Sequence, residues 1–115
     1  MSSAVRKGQS FTREALFGGR GAVQVWNLLA GRPAPPFAAV LSCELEPSGH
    51  VGRHRQEHFP EIVIGLEGQG EAHVGDDAQP LTPGDVVPLP LGQVLELRNL
   101  SAETPLRYLI IKARG

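Results

Sequence analysis

Polar and apolar residues alternate from position 22 onward. Val23, Val25 and Asn27 fall on one side of the chain, and Gln24, Trp26 and Leu28 on the other. That period of two is the signature of a β-strand with one buried face. Similar short runs follow at 37–46, 50–57, 61–66, 71–74, 81–82, 86–91, 94–99 and 106–112. Between them stand turn formers: Gly31 with the prolines at 33, 35 and 36, then Pro47-Ser48-Gly49, Pro60, Gly68 with Gly70, Gly75-Asp76-Asp77 and Pro83-Gly84-Asp85. The pattern predicts eight or nine short strands and no helix longer than a single turn at 12–17. The fold class expected is all-β, an antiparallel sandwich or closed barrel. Residues 1–21 lack periodicity and carry only Phe11, Leu16 and Phe17 as anchors, so they read as an irregular arm that docks on the body or on a second subunit. The division expected is an arm at 1–21 and one barrel domain at 22–115.

Length and composition support a single folded domain. At 115 residues the chain can enclose a core. Its 14 glycines and 10 prolines are dispersed, as turns between strands would have them, and do not form a low-complexity tract. A net charge of −1 gives no overall attraction to nucleic acid. The charge is uneven: Arg6, Lys7, Arg13, Arg20 and Arg32 face one acid, Glu14, before residue 40. Such a basic arm could touch phosphate or an acidic partner, but five dispersed charges are not a cluster and better suit a solvated or dimer-docking tail. Cys43 is the single cysteine, which rules out an intrachain disulfide and any multi-cysteine zinc site. No run reaches membrane-spanning length and no signal core is visible, so the expectation is a cytoplasmic protein without membrane or nucleic-acid partners.

Chemistry concentrates between Gly49 and Gly68, where His50, His54, His58 and Glu61 stand beside the apolar Ile62-Val63-Ile64. Strict alternation places His50, Gly52, His54 and Gln56 on one face, and Val51, Arg53, Arg55 and Glu57 on the other. The arginines suit solvent, so the His/Gln face is expected inside, where buried polar groups need partners or a ligand. A zinc-protease helix is excluded. His54 and His58 have its spacing, but the glutamate that should directly follow the first histidine is missing, and Gly52 and Pro60 break a helix. His50 and His73 are expected to be structural. Cys43, on a strand, reads as a small buried hydrophobe.

Gly49, His54, Gln56, Glu61 and Gly68 resemble the first motif of the cupins, with Gln56 where that motif has its second histidine. Gly84, Pro90, Gly92, Leu95 and Asn99 resemble the second motif with every spacing kept, and Leu95 replaces its histidine. The Pro83-Gly84-Asp85 turn is also typical of cupins, and the resemblance spans about residues 38–112. It implies a jelly-roll barrel, usually a homodimer, with its site inside. Cupin enzymes generally hold Fe, Mn, Ni, Zn or Cu on three histidines and a glutamate. Of those four positions this chain keeps His54 and Glu61. Gln56 offers a neutral amide oxygen and Leu95 offers nothing.

Two readings of the site stand against each other. In the first, the barrel binds a small organic ligand in a pocket lined by His54, Gln56, Glu61, Leu95 and His58, with an incomplete metal site, as in sensor or carrier barrels. In the second, it is a metal-dependent enzyme of dioxygenase or isomerase type, with His54, Gln56 and Glu61 as ligands and His58 recruited. One divalent ion (Fe, Mn, Ni or Zn) would then be weakly held; in the first reading it is absent. For His54 and Glu61 the alternatives are metal ligation or a hydrogen-bonded pair filling a former metal site. A structural dimer with no ligand is a third, weaker reading. The apolar residues Ile62, Ile64 and Leu66, opposite Glu61 on their strand, call for a cover, either the arm or a second copy.

Overall fold

The structure is a computed structural model that describes residues 5–114. The first four residues of the arm expected at 1–21, and Gly115 of the domain expected at 22–115, lie outside the described residues. Ten strands fold into two antiparallel sheets. The first sheet has six strands: β1 (Ser10–Glu14), β2 (Ala22–Asn27), β3 (Phe37–Leu45), β10 (Leu106–Ala113), β5 (Glu61–Glu67) and β8 (Val86–Leu89), in that spatial order. The second has four, in the order β4 (His50–Arg55), β9 (Val94–Asn99), β6 (Gly70–Val74) and β7 (Asp77–Leu81). Val23, Leu45, Val63, Ala72, Leu81, Val87, Leu95, Leu97 and Leu106 fill the space between them. Most of them alternate along their strands with residues on the outer faces, which is why short half-apolar runs could be read as strands. Pro80 and Pro88 lie on β7 and β8, both edge strands, where a missing N–H costs the ladder least.

Two expectations about local structure are corrected. No helix forms at 12–17. Ser10–Glu14 pairs with β2 as an edge strand, and a short 3-10 turn follows at Leu16–Gly18. The five residues of β1 are all exposed, so no buried face betrayed the strand in the sequence. The second correction concerns β4. A register shift between Val51 and His54 puts one side of the strand out of step. His50 pairs with Arg98, and Val51 with Leu97 of the core, and His54 then pairs with Leu95. His50 and His54 therefore face opposite ways. A bulge adds a residue to one strand, and an argument from strict alternation cannot see it.

The residues resembling cupin motifs mostly build turns. Asn99 Nδ2 donates to the carbonyl oxygens of Leu45, Glu46 and Thr104, at 3.2, 3.1 and 2.9 Å. Its Oδ1 accepts from the Ser101 N–H at 2.9 Å. Asp85 accepts from both the backbone and the hydroxyl of Thr82. Gly68 has φ +96, and a Cβ there would stand 2.5 Å from the Pro105 carbonyl oxygen, so only glycine fits.

Candidate functional site

A cavity of about 240 Å³ opens between the two sheets. Its walls are apolar: Val23 and Val25 from β2, Leu41 from β3, Val51 from β4, Leu95 and Leu97 from β9, and Ile110 from β10. His54, Gln56, Glu61, Cys43, Tyr108 and Lys112 supply its polar lining. Phe11, Arg13, Leu16 and Phe17 of the N-terminal segment complete it. Of the residues singled out in the sequence, His54, Gln56, Glu61 and Leu95 come together here. His58 does not. It lines an adjoining depression of about 320 Å³ with Arg55, Glu57 and Phe59, and His54, Gln56, Phe17 and Lys112 border both spaces. A wider depression of about 450 Å³ lies between loop 29–35 and β3, but it holds no acid, histidine or thiol.

His54 is held on two sides. Its Nδ1 stands 2.9 Å from the Gly52 carbonyl oxygen, which can only accept, so Nδ1 carries the proton and Nε2 remains the open acceptor. Phe17 stacks on the ring with centroids 3.8 Å apart and planes 13° from parallel. Burial lowers the pKa of His54, the bond to Gly52 opposes that, and the Lys112 charge adds to it. Glu61 begins β5 with its side chain inward and is 5% exposed. Burial raises its pKa, and Lys112 partly offsets the rise. No hydrogen bond joins His54 to Glu61 among the described residues, and Glu61 Oε2 is buried without any partner. Lys112 sits opposite Glu61 in the β5–β10 register, so the two side chains share a face.

Cys43 and Tyr108 are directly opposite each other across β3 and β10. Burial, with the Glu61 charge adding to it, pushes the Cys43 thiol up to about 12, so it is an inert wall residue. Tyr108 is likewise held well above the usual phenol range by burial. The other histidines lie outside the cavity. His50 Nε2 contacts Glu96 Oε2 at 2.5 Å, and Arg98 bonds the same oxygen at 3.0 Å. His73 contacts Glu71 at 2.7 Å. This cluster covers the outer face of the four-stranded sheet.

Residues 41–112 match the family described as "Cupin domain". The chain is a cupin. Solved structures share its fold along most of its length. A protein described as a predicted oxalate decarboxylase from Thermotoga maritima superposes with a TM-score of 0.83 at 22% identity, covering 100% of each chain. A cupin-2 domain from Rhodospirillum rubrum gives 0.75 at 24%, covering 93% of this chain and 70% of that one. A sugar phosphate isomerase of the cupin superfamily from Silicibacter pomeroyi gives 0.67 at 22%, covering 81% and 60%. No curated protein matches the chain. At these identities the likeness carries the fold.

The metal that many cupins hold does not fit this one. Leu95, 2% exposed, is the direct cross-strand partner of His54 and puts an alkyl group where a third donor would stand. The nearby positive charge of Lys112 disfavours a second cation. Among the described residues no group of three or more His, Cys, Asp or Glu is placed to hold an ion. Lys112 escaped the sequence reading, and Phe17 and Arg13 entered it only as an anchor and a charge of the N-terminal arm. The faces of 106–112 put Lys112 beside Tyr108 and Ile110, but its partner Glu61 is far away in sequence and only the β5–β10 register joins them.

Proposed function

We propose that this cupin binds a small organic molecule in the cavity between its sheets, as a metal-independent binding module that works as a homodimer. One observation carries the reading: Glu61 Oε2 is buried, lacks a hydrogen-bond partner and belongs to a cavity whose remaining walls are mostly apolar. A buried polar atom left unmade costs roughly 1–3 kcal/mol, which a bound partner recovers. The cavity volume of about 240 Å³ is roughly eight times the ~30 Å³ share of one water, which suits a small ligand.

The competing reading is a metal-dependent enzyme, in line with the activities described for the Thermotoga and Silicibacter proteins. Its donor set is disfavoured by Leu95 and Lys112, as argued above. Metal analysis separates the two. Protein produced with added Fe, Mn, Ni and Zn should carry well under one equivalent of any of them. Stoichiometric metal that disappears on His54→Ala would establish the enzyme reading instead.

A further inference from the structure

We propose that the ligand is a 2-hydroxy acid with an apolar tail, its carboxylate held by Lys112 and its hydroxyl paired with Glu61. The inference rests on the cavity being a ligand site. Two groups on one face of neighbouring strands ask for complementary partners. Glu61 Oε2 is buried and unpartnered, and Lys112, directly opposite in register, does not satisfy it. Cross-strand partners have Cβ atoms about 4.5–5.5 Å apart, so neighbouring atoms of one small ligand can meet both groups. A hydroxyl next to a carboxylate has that spacing. A hydroxyl both donates and accepts, so it can pair with Glu61 in either protonation state.

Charge and polarity narrow the class. Lys112 and Arg13 both line the cavity, against one carboxyl, Glu61. An amine could donate to Glu61 but would meet two cations. A polyol or sugar would set hydroxyls against Val23, Val25, Leu95 and Leu97, which offer no hydrogen bonds. A second carboxylate on the ligand would face the same apolar wall. One carboxylate, one adjacent hydroxyl and a hydrocarbon or aryl tail match Lys112, Glu61 and the apolar wall.

Three probes of equal shape test this by calorimetry on the full chain, stripped with chelator: mandelate, phenylacetate, which lacks the hydroxyl, and 1-phenylethane-1,2-diol, which lacks the carboxylate. Mandelate should bind at least about tenfold more tightly than either. Lys112→Met should erase its advantage over the diol, and Glu61→Leu its advantage over phenylacetate. Lys112 is half-exposed and Glu61 lacks a partner at Oε2, so both variants should fold; the wild-type comparison decides the matter even if one does not. If the three probes bind alike, the hydroxy-acid assignment fails while the ligand cavity stands. If none binds at millimolar concentration, both fail. Mandelate binding that is lost on chelation and restored by a divalent ion would also overturn direct recognition by Lys112.

Discussion

Glu61 is the residue whose surroundings most constrain behaviour. Its pKa is raised in the folded state, chiefly by burial, so the native protein binds that proton more tightly than the unfolded chain does. Its contribution to stability is therefore greatest at low pH and is lost as pH rises from the ordinary value of 4.5 through the raised one. Glu61→Gln should remove that decline. Urea midpoints of wild type and variant, measured from pH 4 to pH 8, should converge at the acid end and separate at the neutral end, with the variant the more stable. Parallel curves would show that the carboxyl is solvated. Leu95 offers a second test. Because it pairs with His54, Gln56→His with Leu95→His should supply two imidazoles beside His54 and Glu61. Ni or Zn affinity by calorimetry should rise about tenfold or more over wild type. An unchanged affinity in a folded double variant would mean that the side chain at 95 does not reach His54.

At the scale of elements, β4 and the N-terminal turn are fitted to each other through glycine. A Cβ at Gly52 would lie 2.0 Å from the Phe17 carbonyl oxygen, and one at Gly19 would lie 1.8 Å from that of His50. Phe17 itself holds a left-handed conformation, with φ 54, costing of order 1–3 kcal/mol that its stacking on His54 helps offset. Gly52→Ala should push the turn off β4 and destabilise the fold by about 1–3 kcal/mol, readable as a drop in the denaturation midpoint. A wild-type midpoint in that variant would show that the turn does not pack there. The same region marks where sequence reasoning stopped. The strands around Val23, Val63 and Leu97 were legible because each is a short apolar or alternating run bounded by turn residues. The inward placing of His54 was reached through an alternation that the bulge after Val51 breaks, so His50 was assigned to the wrong face. Gly52 was read only as a helix breaker, and the backbone packed against it belongs to a segment without periodicity. Lys112 was not singled out, because its meeting with Glu61 depends on a long-range register that local pattern does not encode.

For the molecule as a whole, the outer face of the six-stranded sheet matters most. Arg6 covers one corner, lying 5.7 Å over the Trp26 ring and bonding Glu44 at 2.8 Å. The β5–β8 half stays open, with Ile62 at 40% and Val86 at 54% exposure beside half-buried Ile64, Leu109 and Ile111. An apolar face of this kind is where the proposed dimer should close. Sedimentation at micromolar concentration should give twice the 12.3 kDa chain mass, and Ile62→Lys should halve it without unfolding the barrel. A monomeric wild type would refute the dimer. The last consequence comes from β1 and the Phe17 turn, which form one wall of the cavity. Occupant and wall are thermodynamically linked: whatever fills the cavity favours the closed wall by mass action. Arg13 and Arg20 are exposed on that segment, so trypsin can act as a clock. Cleavage there should slow as ligand is added, in proportion to occupancy. A compound collection could thus be screened on a gel, with no activity assay.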